Sequence, residues 1–330
     1  MPRTEGIVDA RAPLTAVPKA DDKGHQRGDK HMKTDVVEPT DLARSVISVP
    51  PLPRGADGSL DREETQKLVD HLFAGGVSTF LFGGNANLYN MGFREFAPFL
   101  DLVEDVTPEE GWAIPSVGAD FGKAADQIDM LRERDFPTAM LLPAASAATP
   151  AGVATGIRRL ADRYGRPLIA YVRADGYLAP RDLAALFDDG AVAALKYAIV
   201  RPDPAEDPAL SAFLDAAGSA ERIVSGIGER PVIAHLAGFG LKSFTSGSVC
   251  IAPHLSTAIL HALKGGETEA ASLLREHFLP LEDLRDAYSP IRVLHEAVRL
   301  ARIADTGPLS PFLANIEDPG TLDEIERAAC

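Results

Sequence analysis

From Ser45 onward, the apolar and polar positions of this chain follow one repeating order. A short β-branched or apolar run is followed by a loop rich in Gly, Pro, Asp or Asn, and then by a helix-length stretch whose apolar residues lie three and four apart. The runs that predict β-strands are RSVISV (44–49), STFLF (78–82), WAIP (112–115), TAMLL (138–142), PLIAYV (167–172), AVAALKYA (191–198), RIVS (222–225) and KSFTS (242–246).

Helical patterns separate these strands, and several open at Asp, Thr or Pro and close at Gly. Eight strand–helix units in about 220 residues favour a parallel, closed (β/α)8 TIM barrel over an open doubly wound sheet. Three more helical segments follow, over residues 267–285, 291–304 and 321–329. The sequence therefore predicts a barrel over residues 41–264 and an added C-terminal helical region over residues 265–330.

Residues 1–40 mix charges of both signs with Pro, Gly and few large apolar side chains. Such a segment buries too little apolar surface to offset the entropy lost on ordering. It is predicted to be a disordered N-terminal tail.

Charge and composition exclude several classes of function. The 33 Lys and Arg against 48 Asp and Glu give a net charge of −15, which repels nucleic acid. No apolar run reaches the roughly 18–20 residues of a membrane span, so no membrane partner is expected. Cys250 and Cys330 cannot form a disulfide framework, and no spacing suggests a metal site. We therefore expect a cytoplasmic protein without metal or cofactor.

Lys196 is the strongest chemical signal, because it lies within the apolar run AVAALKYAIV. Active sites of such barrels lie at the carboxyl ends of the strands. Burial disfavours the ammonium form and would lower the pKa of this amine, making it a nucleophile for carbonyl substrates. The alternative is a strand-end lysine that reaches solvent.

Tyr171 ends the preceding predicted strand, so parallel pairing would bring its hydroxyl and the Lys196 amine to the same mouth of the barrel. A phenol at this point can transfer protons. Taken alone, a tyrosine at a strand end is more often a packed ring whose hydroxyl is hydrated.

Further candidates for substrate binding lie in the loops at the same rim. In the turn after the second strand, Gly84 lets a ligand approach the backbone and Asn85 offers amide donors to a carboxylate, although a plain tight turn is the alternative. Arg173 offers a guanidinium for an anion, unless it is merely solvated. The loops after strands seven and eight add Ser225, Gly226 and Ser246.

Taken in order, these features resemble the dihydrodipicolinate synthase / N-acetylneuraminate lyase family of class I aldolases. The likeness covers residues 44–316 and is carried by AGGVSTFLFGGN, IPSVGAD, Tyr171, Lys196, IVSGIGE, GFGLKSFTSGSVCIAP and the segment SPIRVLHEAVRLARIADTGPLSPFL. The resemblance implies that Lys196 forms a Schiff base with pyruvate or another 2-keto acid and that Tyr171 relays protons. It also implies a homo-oligomer, a dimer or a homotetramer built of dimers.

Three departures argue against a true dihydrodipicolinate synthase. The family's Gly-Thr-Thr-Gly-Glu is replaced by residues 83–87, GGNAN, so glycine stands where the first threonine of the proton relay is expected. The Pro-Tyr-Tyr that lends a tyrosine to a neighbouring subunit is replaced by Pro143, Ala144 and Ala145. The family arginine after strand five also has no direct counterpart, since Arg173 lies nearer the tyrosine.

The sequence therefore predicts a Schiff-base-forming lyase, an aldolase or a dehydratase, that acts on pyruvate or a sugar-derived 2-keto acid. The alternative is a non-catalytic barrel of the same family, kept as a binding or assembly protein because the relay threonine is missing. The presence of both Lys196 and Tyr171 weighs against that alternative.

Overall fold

The computed structural model describes residues 32–144 and 146–330. Residues 1–31 of the predicted tail, and Ala145, lie outside the described residues. The remainder of the predicted tail packs on the folded unit: Met32 and Val37 are buried, and the Lys33 amide donates to the Gly111 carbonyl at 3.1 Å. A four-residue helix, α1 (Pro39–Leu42), follows.

Parallel strands form the centre of the fold, and each overlaps one of the runs predicted from the sequence. Among the described residues they are β1 (Ile47–Ser48), β2 (Thr79–Phe82), β3 (Trp112–Val117), β4 (Met140–Leu141), β5 (Leu168–Val172), β6 (Val192–Tyr197), β7 (Ile223–Ser225) and β8 (Thr245–Ser246). They pair in the order β7-β6-β5-β4-β3-β2-β1-β8. A parallel bridge between Ser225 and Phe244 joins the two ends of this sheet. The predicted (β/α)8 barrel is confirmed.

Helices connect the strands around the outside of the barrel. They are α2 (Arg62–Ala74), α3 (Phe93–Val106), α4 (Phe121–Leu131), α5 (Pro150–Tyr164), α6 (Pro180–Asp188), α7 (Pro208–Ala217), a π-helix (Ile233–Gly238) and α8 (Pro253–Gly265). Helix α5 shows why the sequence folds this way. The Thr149 hydroxyl accepts from the Gly152 amide at 3.2 Å, Pro150 fits the first turn, and Gly165 ends the helix at φ +76°.

The C-terminal helical region differs from its prediction at one point. The segment 267–285, expected as one helix, forms α9 (Thr268–Arg275) and α10 (Leu279–Ala287). Pro280 lacks a backbone N–H and is therefore tolerated in the first turn of α10 but not inside a longer helix. Two further helices, α11 (Pro290–Leu300) and α12 (Pro319–Ala329), share a small apolar core with α10.

In the described part of the chain, no helix is both long and apolar enough to span a bilayer.

Candidate active site

A cavity of about 310 Å³ opens at the carboxyl ends of the strands. Its walls come from β5, β6 and β8, from the loops that follow the strands, and from the C-terminal helical region. The side chains that the sequence analysis singled out there are Gly84, Asn85, Tyr171, Arg173, Lys196 and Gly226.

Lys196 lies on β6 and is only 4% exposed. Its Nζ atom sits 4.3 Å from the centroid of the Tyr171 ring. Burial, followed by the positive charges of Arg173 and Arg285, lowers the pKa of this amine to about 7. A large fraction of Lys196 is therefore neutral and nucleophilic at neutral pH.

Tyr171 lies on the neighbouring strand, in register with Lys196. Both side chains consequently point to the same, inner face of the barrel. Protein surrounds the Tyr171 phenol except where it lines the cavity, and this burial raises its pKa to about 12. The phenol is therefore protonated at neutral pH and has a proton to donate.

The turn after β2 supplies an amide to the cavity. Asn85 is 9% exposed, and its Nδ2 atom donates one hydrogen bond to the Val49 carbonyl at 2.7 Å. Only one N–H of this amide therefore remains for a ligand. Gly84 leaves the wall open, because a Cβ there would meet nothing closer than Tyr89 Cε2 at 3.7 Å.

Arg173 lies in the loop after β5, exposed at the mouth of the cavity. Its guanidinium lies close to the hydroxyl groups of Tyr171 and Tyr89, and these neighbours raise the pKa of Arg173. Tyr89 lines the cavity as well, so these two residues form a polar rim around its opening.

Gly226 packs directly against the lysine-bearing strand. Its amide donates to the Tyr197 carbonyl at 2.6 Å, and a Cβ at this position would lie 2.7 Å from that carbonyl oxygen and 3.0 Å from Lys196 Cγ. A side chain larger than hydrogen would therefore push on β6 and on Lys196 itself.

We expect Gly226→Ala to lower the free energy of unfolding by about 1–3 kcal/mol, the usual cost of overpacking. The matched control is Gly84→Ala, whose new methyl group would make only ordinary van der Waals contact. Thermal unfolding of both variants measures the difference. Equal melting temperatures for the two would contradict this description of Gly226.

The structure does not bring Ser225 and Ser246 to the cavity, which corrects their predicted place in substrate binding. Ser225 pairs in register with Tyr197, one residue beyond Lys196, and its hydroxyl contacts His235 Nδ1 at 2.8 Å. The Ser246 hydroxyl donates to Glu229 at 2.7 Å, while its neighbour Thr245 lines the cavity. In both cases the two-residue period of the strand turns the side chain away.

The sequence analysis missed a whole wall of the cavity. Glu282, Arg285, Asp286 and Ser289, from α10 and the residues after it, line the side formed by the C-terminal helical region. Charged residues three apart on a helix are typical of a solvated surface pair. Only the packing of α10 against the barrel mouth shows that Glu282 and Arg285 are buried.

A second buried acid, Glu229, links the loop after β7 to β8 and α8. It is fully buried and accepts hydrogen bonds from the Ser246 and Ser256 hydroxyls, the latter at 2.6 Å. Burial, and next the charge of Glu282, raise the pKa of Glu229 to about 7.

Among the described residues, no group of three or more His, Cys, Asp or Glu side chains is arranged to hold a metal ion.

Comparison with known proteins gives relatives in sequence, although no protein-family model matches the chain. Probable 5-dehydro-4-deoxyglucarate dehydratase 2 of Streptomyces avermitilis is 26% identical over 290 residues, covering 86% of this chain and 84% of that protein. The protein of the same name from Streptomyces coelicolor is 26% identical over 293 residues, covering 86% of this chain and 87% of that protein.

Solved structures are similar over most of the barrel. Dihydrodipicolinate synthase from Oceanobacillus iheyensis has a TM-score of 0.75 at 19% identity, covering 88% of this chain and 97% of its own. A prophage protein of the dihydrodipicolinic acid synthase family from E. coli K12, in complex with pyruvate, has a TM-score of 0.75 at 18% identity, with 86% and 96% covered. N-acetylneuraminate lyase from Mycoplasma synoviae has a TM-score of 0.73 at 15% identity, with 87% and 97% covered.

The similar solved structures establish the fold, and the two dehydratases are similar to the chain in sequence as well. The lysine and tyrosine that the family resemblance singles out stand in register on adjacent strands of that fold. These similarities support the assignment to the dihydrodipicolinate synthase / N-acetylneuraminate lyase family that the sequence resemblance indicates.

Proposed function

We propose that this protein is a Schiff-base-forming lyase that removes water from, or cleaves, a sugar-derived 2-keto acid. The observation that carries the proposal is the buried Lys196 amine, with its pKa lowered to about 7, beside Tyr171 in a cavity at the carboxyl ends of the strands. Burial and the positive charges of Arg173 and Arg285 are both unfavourable for the ammonium form of Lys196. A nucleophile that must react as the free base accounts for that arrangement.

The first steps need only these two side chains. The lone pair of Nζ attacks the keto carbon, and the resulting carbinolamine expels its hydroxyl, which takes the Tyr171 proton and leaves as water. The iminium product acidifies the adjacent C–H bond. The Tyr171 phenolate then accepts that proton, and an enamine forms.

The enamine sets up the lyase step. If the next carbon carries a hydroxyl, the enamine electrons expel it, and Tyr171 again supplies the proton that converts it to water. Hydrolysis of the remaining imine frees Lys196. Dehydration is the favoured direction, because the two Streptomyces relatives are named as dehydratases of a 4-deoxy keto sugar acid. That acid has a methylene beside its keto carbon, a hydroxyl on the next carbon and a carboxylate at each end.

The rim of the cavity supports a substrate with two anionic ends. Arg173, exposed at the mouth beside Tyr89, suits the carboxylate far from the keto group. A true dihydrodipicolinate synthase fits less well. Glycine replaces the expected relay threonine at position 84, and Pro143 is followed by alanine instead of tyrosine.

We expect the rate of Schiff-base formation to rise with pH and to level off above about 7. Only the neutral amine attacks, and the pKa of Lys196 is lowered to about 7 by burial and the two neighbouring arginines. With an ordinary lysine, whose pKa is near ~10.4, the rate would instead keep rising with pH up to the alkaline limit of the experiment. Initial rates of borohydride-trapped adduct across this range distinguish the two cases. A rate still climbing steeply at about pH 9 would contradict the lowered pKa.

The reaction is tested by NMR of the wild-type protein with a panel of 2-keto-3-deoxy sugar acids. Loss of the β-hydroxyl without release of pyruvate identifies a dehydratase, and appearance of pyruvate identifies an aldolase. The Lys196→Arg variant is the control for background chemistry. If no acid of the panel is consumed and none forms an adduct, the protein is the non-catalytic barrel.

We also propose that the protein acts in the cytoplasm as a homo-oligomer, a dimer or a tetramer. Cys250 and Cys330 are unpaired, which suits a reducing compartment. Phe93 and Phe312 are 52% and 96% exposed and line one groove, an apolar surface suited to contact with a second copy. Sedimentation velocity measures the assembly.

A further inference from the structure

Two nitrogen donors converge on the cavity wall at Gly247. A Cβ at this glycine would lie 2.6 Å from Asn85 Nδ2 and 2.9 Å from Arg285 Nη2. The two nitrogens therefore lie close enough together to share one bound anion. They come from opposite parts of the fold, since Asn85 follows β2 and Arg285 lies on α10.

The rest of the Arg285 guanidinium is held rigidly. Its Nη1 atom donates to Glu282 at 2.7 Å and to the Ser248 hydroxyl at 3.2 Å, and its Nε atom donates to the Pro290 carbonyl at 3.4 Å. Within the described part of the chain, no group accepts from Nη2. This nitrogen, on a side chain that lines the cavity, is left free to bind a ligand.

Asn85 is arranged in the same way. One N–H of its amide is used by the Val49 carbonyl at 2.7 Å, which leaves the other to face the space beside Gly247. Both donors are thus oriented by protein contacts before any ligand arrives. Fixed donors of this kind bind a carboxylate without a cost of reorientation.

We propose that Asn85 and Arg285 together bind the carboxylate adjacent to the keto carbon of the substrate, so that the C-terminal helical region supplies a substrate-binding residue. This inference rests on the proposed function. In a Schiff base, that carboxylate carbon lies about 2.5 Å from the lysine nitrogen, so its partners must stand beside Lys196. Asn85 and Arg285 line the same cavity as Lys196, whereas Arg173 is exposed at its mouth and remains for the far end of the substrate.

This arrangement explains how the GGNAN turn works without the family's threonines. Gly84 has no side chain to donate, and Asn85 has one amide N–H to spare. Arg285 adds the missing donor and a positive charge from α10. The buried Glu282 accepts a hydrogen bond from Arg285 Nη1 and so positions the guanidinium.

The test compares pyruvate with pyruvamide, in which an uncharged amide replaces the carboxylate. Borohydride trapping gives the half-saturating concentration of each probe. Each variant is measured at a pH where its trapping rate no longer rises with pH, so that a change in the pKa of Lys196 does not affect the comparison. We expect Arg285→Gln to raise that concentration by about 10- to 150-fold for pyruvate. The value for pyruvamide should stay unchanged.

Two further variants separate binding from folding. Gly247→Ala keeps every charged side chain, but its methyl group displaces the ends of Asn85 and Arg285. It should therefore also weaken the binding of pyruvate without changing the binding of pyruvamide. Arg158→Gln removes an exposed ion pair with Asp189, at 2.6 Å, between two residues that do not line the cavity. It should leave both probes unaffected.

The outcomes distinguish this site from the proposed function. If the wild-type protein traps both probes while Arg285→Gln and Gly247→Ala keep the full preference for pyruvate, the carboxylate site is wrong and the Schiff-base chemistry stands. If these variants bind pyruvate and pyruvamide more weakly by the same factor, the carboxylate site is also wrong. If the wild-type protein forms no adduct with either probe or with any acid of the panel, the proposed function fails and this site fails with it.

Discussion

Lys196→Arg is expected to reduce turnover of the 2-keto acid substrate to background. The guanidinium stays protonated at every accessible pH and cannot attack a carbonyl. Removal of a covalent nucleophile elsewhere costs on the order of 10⁶ in kcat. Steady-state rates with the best acid of the NMR panel measure the effect.

A second replacement, Lys196→Met, separates chemistry from folding. Methionine matches the length of the stem without placing a charge between Arg173 and Arg285, so the free energy of unfolding should be unchanged or higher while turnover is still lost. Lys242→Arg, at an exposed lysine just before β8, is the matched control and should retain full activity. Substantial turnover by either Lys196 variant would show that another group is the nucleophile.

Tyr171→Phe is expected to lower kcat by roughly 10² to 10⁴, the usual contribution of general acid–base catalysis. The ring that packs 4.3 Å from Lys196 Nζ is kept, so the cavity retains its shape and only the proton carrier is removed. Schiff-base trapping should become slower but still reach completion. Single-turnover kinetics with the same keto acid measure both steps.

The matched control for this variant is Tyr164→Phe. The Tyr164 hydroxyl donates to the Phe136 carbonyl at 2.8 Å, away from the cavity, so its loss affects stability and not kcat. If Tyr171→Phe keeps a near-normal kcat, Tyr171 is not the proton carrier. Tyr89, the other tyrosine that lines the cavity, then becomes the candidate. Tyr197 does not, because its hydroxyl donates to Asp207 at 2.6 Å outside the barrel.

The barrel could be predicted because its signals are local. Each predicted strand overlaps an observed one, and the longer runs around Tyr171 and Lys196 also fix which residues share a face. Strands β7 and β8 are only three and two residues long. Alternation over two or three residues does not show which side chains face the inside of the barrel. The sequence therefore could not show that the side chains of Ser225 and Ser246 turn away from the cavity.

The C-terminal wall of the cavity could not be predicted, for a different reason. Helix α10 has an ordinary amphipathic pattern, and nothing in it distinguishes a charged pair facing water from one facing a cavity. The burial of Glu282 and Arg285 depends on contacts with Ser248 and with the loops that follow β7 and β8. Contacts between distant parts of the chain of this kind leave no periodic trace in the sequence.

The central claim is that Lys196 forms a covalent imine with a 2-keto acid. Its most direct test is borohydride reduction of the wild-type protein with pyruvate or the best substrate of the panel, followed by intact mass and peptide mapping. The account predicts one adduct per chain, on the peptide that contains Lys196, and none in Lys196→Arg. An adduct on a different lysine, or no adduct with any keto acid, would contradict it.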